Sequence, residues 1–170
     1  MNKYAYNVRN ICSIRELIET SAAEFANKSA FLLKDDEGNI IPVSYRRFFE
    51  EIKALSTYLN SLGLENKKIA VIGKNSYEWA LGYMAIMCGT GISVPIDKEL
   101  KAPEIKNILE LSGAEAVLFA KEMTEKIRNY NLALGAAVGK IQESSELYSN
   151  FLGSMVSHSR GQSYLQILKN

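Results

Sequence analysis

The sequence predicts an α/β fold built on a short parallel sheet, and three observations carry that prediction. From Leu64 to Ala120 short apolar runs alternate with helical patterns in the order strand, helix, strand, helix, strand. The run Lys68 to Gly73 is short and β-branched, the composition of a strand covered on both faces, Gly91 to Pro95 reads as a second buried strand and Ala116 to Phe119 as a third. Hydrophobic residues make up 47% of the 170 and charged residues 23%, so a chain of this length buries a real core. Strands and helices at this spacing imply parallel pairing with right-handed crossovers. The expected architecture is an N-terminal helix, hairpin and helix over 1–63, then a Rossmann-like βαβαβ half-sheet over 64–170 with helices on both faces.

The elements follow in order. Ser13 and Glu16 have the spacing of a capping box, and Ile14, Leu17, Ile18 and Phe25 recur behind them at helical intervals, which predicts a helix from Ser13 to Ala26. Ala30 to Leu33 and Ile40 to Val43 read as hairpin strands around the turn Asp36-Glu37-Gly38-Asn39. Ser44 caps a second helix whose apolar stripe runs Tyr45, Phe48, Phe49, Ile52, Leu55, Leu59, Leu62, and Gly63 stops it. Asn75 and Glu78 have capping-box spacing again and open a helix through Met87 that is apolar almost all round. Pro103 suits the first turn of the next helix, which Gly113 closes. Lys121 to Tyr130 reads as a short helix, Leu132 to Gly139 as a strand or a helix turn, and Glu143 to Val156 as a helix.

Charge and composition exclude several roles. Twenty basic and 19 acidic residues leave a net charge of +1, with no field to draw the chain onto nucleic acid. Two cysteines, Cys12 and Cys88, suggest a reducing compartment over a disulfide scaffold. The N-terminus lacks the apolar stretch of a signal peptide, and Trp79 to Cys88 is too short to span a bilayer. The expected location is the cytoplasm.

The motifs that would carry chemistry fall short one by one. Gly73-Lys74-Asn75-Ser76 follows a strand and opens a helix, but a phosphate loop needs a glycine where Lys68 stands, so a plain strand-to-helix turn is the reading. Gly89-Thr90-Gly91 precedes a strand and lacks the third glycine of a dinucleotide turn. His158 is the one histidine and has no second ligand at metal-binding spacing. No GxSxG elbow is present, and Asp35-Asp36-Glu37 reads as a solvated turn. No catalytic, cofactor-binding or metal-binding residue is assigned.

From Val43 onward the run VSYRRFFEEIKALSTYLNSLGLENKKIAVIGKNSYEWALGYMAIMCGTGISVPIDKEL resembles the N-terminal region of AMP-dependent acyl-CoA synthetases. The landmarks are Ser44-Tyr45, Leu62-Gly63-Leu64, Gly73 with Asn75-Ser76, Glu78-Trp79, Gly89, Gly91, Pro95 and Asp97. PIDKEL followed by Glu104-Ile105 is closest to the long-chain fatty acid branch, and the resemblance covers Ile14 to Met123. Further on, FLGSMV and SYLQI fit the linker that precedes the family's phosphate loop. The resemblance implies activation of a carboxylic acid with ATP and magnesium to an acyl-adenylate, then transfer to coenzyme A. It also implies that the phosphate loop and mobile C-terminal domain doing this chemistry are absent from these residues, so the chain alone is expected to be inactive. Gly89, Gly91, Pro95 and Asp97 take structural roles on this reading: the glycines allow a tight turn, and Pro95 and Asp97 lead the chain off the sheet. Trp79, Tyr83 and Met87 read first as core packing and second as a wall of an acyl pocket. The implied partner is the remainder of the ligase, with self-association through bare apolar surface. The alternative is a stand-alone interaction module that kept the half-sheet and lost the chemistry.

Overall fold

The computed structural model describes residues 9–123, 125–127 and 165–169. Helix α1 (Ile14–Glu24) begins where Ser13 Oγ accepts the Glu16 amide at 3.0 Å. The Glu16 carboxylate returns to the Cys12 amide at 2.8 Å, one residue before the cap. Strands β1 (Ser29–Lys34) and β2 (Ile40–Ser44) form an antiparallel hairpin. Asp35 closes its turn by accepting the Asn39 amide at 2.7 Å and the Glu37 amide at 3.0 Å. Helix α2 (Tyr45–Ser61) is capped by Ser44, and Gly63 beyond it adopts φ +76°, where a side chain would be strained.

The main sheet has the order β4-β3-β5-β6, with β3 (Lys68–Ile72) parallel to both β4 (Ile92–Ile96) and β5 (Ala116–Ala120). Strand β6 (Leu165–Lys169) adds antiparallel to β5. Helix α3 (Tyr77–Ala85) links β3 to β4, and α4 (Ala102–Ser112) links β4 to β5. The two helices lie on opposite faces. Ile69, Val71 and Leu118 pack with Ile52, Leu59 and Leu81 of α2 and α3. Ala70, Ile72, Val117 and Phe119, the alternate residues of the same strands, pack with Ile105 and Leu109 of α4. The first of these cores holds residues from both sides of position 63, from Val43 to Leu118.

Four local expectations change. The cap of α3 is Ser76, whose Oγ accepts the Trp79 amide at 3.2 Å, and not Asn75. The extended backbone of Ser76 (φ −140°, ψ 170°) places the hydroxyl three residues before a free amide, which leaves Glu78 one position short of a capping box. The α-helical hydrogen bonding of α3 ends at Ala85, and residues Ile86–Thr90 follow as a π turn. Pro95 does not turn the chain off the sheet: it stands within β4 opposite Val71, and the strand runs on to Ile96. Ile92 donates its amide toward β3, to Lys67 O at 2.9 Å, so Pro95, three residues on, presents its missing N–H to the open edge where the ladder does not need it. Finally, Leu165–Lys169 joins the sheet as an antiparallel strand that the linker reading of SYLQI did not foresee. Within Lys121 to Tyr130, Lys121–Met123 forms a 3₁₀ turn and residues 125–127 are helical, with the rest outside the described residues. The readings for Leu132 to Gly139, Glu143 to Val156 and His158 lie outside the described residues.

Candidate functional site

Strands β3 and β4 are neighbours whose following helices go to opposite faces of the sheet. Such a divergence opens a crevice at the carboxyl ends of the two strands, where α/β sheets take their ligands. A crevice of about 370 Å³ lies there, lined by Gly73, Asn75, Trp79, Pro95, Ile96, Asp97 and Lys98. Gly73 makes the crossing possible. A Cβ at this position would stand 3.1 Å from Ala120 Cβ and 3.6 Å from Trp79 Cδ1, so the end of β3 packs directly between β5 and the indole. Trp79 is half-buried and stacks flat on Tyr83, with 5.4 Å between centroids and 7° between planes. The helix is thus core on its inner side, through Tyr77, Leu81 and Ala85, and a crevice wall where Trp79 projects.

The opposite wall is the loop leaving β4. Asp97 begins it, accepting the Glu99 amide on its carboxylate at 2.9 Å and the Leu100 amide on its carbonyl at 3.3 Å. Lys98 pairs with Glu99, and that contact holds its ammonium pKa above the usual lysine value. Behind the loop, Lys126 Nζ donates to Lys98 O at 2.7 Å and to Leu100 O at 2.8 Å, tying the segment after β5 to the segment after β4. The lining holds an indole, a carboxamide, a carboxylate and an ammonium, and neither thiol nor imidazole. That set can bind and orient a group.

It does not fit a magnesium triphosphate. Its one cation is already bridged to Glu99, so the lining offers no unpaired positive group to offset a triphosphate's charge. Among the described residues no group of three His, Cys, Asp or Glu side chains stands ready to hold a metal ion, and no helix is long and apolar enough to cross a membrane.

Of the residues singled out for structural roles, Gly89 and Gly91 stand before the start of β4, at the end away from the crevice, and only Pro95 and Asp97 reach it. Gly91 has its backbone pressed on Lys67, where a Cβ would stand 2.1 Å from Lys67 O. A Cβ on Gly89 would meet Ser56 Cβ and Oγ at 3.0 Å. Pro95 and Asp97 line the crevice itself. The crevice is not legible in the sequence, because its position depends on sheet order and strand spacing does not reveal which strands are neighbours.

The family described as AMP-binding enzyme matches residues 18–154. Bacitracin synthase 3 of Bacillus licheniformis is 30% identical over 107 residues, which is 62% of this chain and 2% of that protein. The mitochondrial medium-chain acyl-CoA ligase ACSF2 of Rattus norvegicus is 24% identical over 121 residues, 71% of this chain and 19% of the relative. Among solved structures, the anthranilate CoA ligase AuaEII in complex with anthranoyl-AMP superposes with a TM-score of 0.67 at 18% identity, over 92% of this chain and 30% of that one. The N-terminal domain of FACL13 from Mycobacterium tuberculosis gives 0.66 at 18% identity, over 89% of this chain and 40% of the other. The chain therefore spans a minor part of each of these relatives. With 18–154 matched by one family model, and with the fold shared with the anthranilate CoA ligase, the chain belongs to the AMP-binding enzymes.

Proposed function

We propose that this chain is the N-terminal segment of an AMP-forming acyl-CoA ligase that activates a fatty acid, of the long-chain kind, as an acyl-adenylate and passes it to coenzyme A. The observation that carries the reading is the family match over 18–154, with the acyl-CoA ligase ACSF2 among the curated relatives. The run PIDKEL with Glu104-Ile105 supports the long-chain branch. On this reading the described residues supply the sheet, the helix layers and one crevice wall, while ATP, magnesium and coenzyme A belong to the parts of the ligase outside them. The misfit of the crevice to a magnesium triphosphate supports that division, because adenylation needs cations and donors around the departing pyrophosphate.

The partner is the remainder of the ligase. Leu32, Ile40, Ile92 and Leu111 support this assignment, being more than half exposed on four different elements. The same bare apolar surface lets the isolated chain associate with itself in the cytoplasm. The experiment is ATP–pyrophosphate exchange with fatty acids of graded length. The 170-residue chain is expected to give no signal, and the same chain extended in frame through a Ser/Thr/Gly-rich loop and C-terminal domain is expected to give exchange that peaks with long acids. Exchange by the 170 residues alone would overturn the division of labour. A stop codon after Asn170, together with a stable monomer, would favour the interaction-module reading.

A further inference from the structure

Helix α3 hands over to β4 through an unusual piece of backbone. Residues Ile86–Thr90 form a π turn, in which the Gly91 amide reaches back five residues to Ile86 O at 2.9 Å. A π turn carries one more residue per closing bond than an α-helix, is rare, and gives way to the α form unless its surroundings select it. Here the surroundings do so atom by atom. Ser56 Oγ donates to Ala85 O at 2.7 Å, and Asn60 Nδ2 donates to Gly89 O at 3.1 Å. Arg15 Nε donates to Cys88 O, and the Asn66 amide donates to Thr90 O at 2.6 Å.

Ser56 and Asn60 are four residues apart, so they stand one above the other on the face of α2 turned toward the π turn. Asn66 holds φ +59°, a left-handed conformation that asparagine tolerates, and so brings Lys67 against Gly91. Three side chains from two other helices, and one constrained backbone amide, thus satisfy carbonyls that the end of a helix leaves open.

Strand β4 starts after a single intervening residue, Gly91. Its register is Lys68↔Ile92 through Ile72↔Ile96, which sends Val94 and Ile96 into the α4-side core. Closing the π turn into an α turn takes up one residue fewer per closing bond and offers the spare residue to β4. A one-residue slip of a strand exchanges its two faces. Val94 and Ile96 would leave their core, and Ser93 and Pro95 would enter it.

We propose that the π turn at 86–90 is the register lock of β4, and that Arg15, Ser56 and Asn60 are the positioning side chains that hold it. The lock sits upstream of the crevice, because the wall from Pro95 to Lys98 is the far end of the same strand.

The test is amide hydrogen exchange, read by NMR on the 170-residue chain, in the single variants Ser56→Ala and Asn60→Leu and in their double variant. The proposal expects the Gly91 and Ile92 amides to exchange at least about tenfold faster while Ile69 to Ile72 of β3 keep their rates, the mark of a local opening. Trp79, the sole tryptophan, should become more accessible to acrylamide as Pro95 shifts. Thr57→Ala is the control, because that hydroxyl bonds to Lys53 O within its own helix, and it should change neither rate. Unchanged Gly91 and Ile92 rates in both single variants overturn the proposal. So does a rise shared equally by β3, which marks general destabilisation. If the double variant does not fold, the two single variants decide the matter by the same local excess.

Discussion

Glu51 is a carboxylate almost wholly removed from water, at 7% exposure, on the inner face of α2. Arg47 Nε donates to one of its oxygens at 2.7 Å, and the Tyr77 hydroxyl donates to the other at 2.6 Å. Tyr77 in turn packs edge-on against Phe31, with centroids 5.1 Å apart, so the hydroxyl is aimed by an aromatic cluster that joins hairpin, α2 and α3. Removing the hydroxyl alone leaves a buried acceptor short of a donor, which costs about 1–3 kcal/mol. Tyr77→Phe should therefore lower stability by that amount in urea denaturation with no change in m-value. No measurable loss would mean that water reaches Glu51. The two thiols differ in the same way. Cys12 is exposed and Cys88 buried. Burial pushes the Cys88 thiol pKa up, with Arg15 drawing it down and Glu19 adding to the rise. A thiol reagent at pH 8 should modify Cys12 in seconds and Cys88 only on unfolding. Because the folded pKa is raised, the stability linked to this thiol is complete below the free-thiol value, about 8.5, and is lost as pH rises through the folded value. Wild type should thus lose stability more steeply than Cys88→Ala as pH rises above about 8.5.

At the scale of elements, much was legible because local chemistry agreed with the final fold. Ser13 and Ser44 cap helices as their spacing requires, and Gly113 ends α4 at φ +66°. The three strands of the parallel sheet fall where continuous apolar runs predicted them, within a residue or two. What was hidden depends on contacts between elements. Nothing in IMCGT announces a π turn, because the donors that select it belong to α1, to α2 and to Asn66 in the loop before β3. The crevice was hidden for a similar reason: Asn75, Trp79, Pro95 and Asp97 each stand out in the sequence, but only the order β4-β3-β5 brings them around one space. The demand at Gly91 is likewise set by another segment of the chain. The extended backbone of Gly91 (φ −173°) suits any residue, so the constraint is the Lys67 carbonyl 2.1 Å from where a Cβ would be. Neither partner yields easily, because both are backbone. Gly91→Ala should cost about 3 kcal/mol or more, or leave the chain insoluble. A thermal midpoint within about 2–3 °C of wild type, the shift that 1 kcal/mol gives a domain of this size, would show that β4 moves freely.

At the scale of the whole molecule, the inner surfaces are complete and some outer ones are not. The two faces of the sheet are closed by α2 and α3 on one side and α4 on the other, with Ile69, Ile72, Leu118 and Phe119 fully buried. The hairpin differs. Its inner face, through Phe31 and Val43, joins the core, while Leu32 opposite Pro42 and Ile40 opposite Lys34 stand on its outer face. Leu32 is 68% exposed and Ile40 59%. An apolar strip on a two-stranded sheet, with a net charge of +1 to oppose association, is a surface on which further protein packs or copies stick. If the remainder of a ligase covers it, the purified 170 residues should self-associate with rising concentration in sedimentation velocity. Leu32→Lys with Ile40→Glu should shift the population toward monomer at tens of micromolar, because each side chain withdraws about 1.5–3 kcal/mol of apolar burial from the contact. The substitutions touch only the outer face, so the stability of the dilute chain should stay within about 0.5 kcal/mol of wild type. A chain that stays monomeric without them points to a self-sufficient surface, the signature of the interaction module. Association that persists with them places the contact at Ile92 or Leu111 instead.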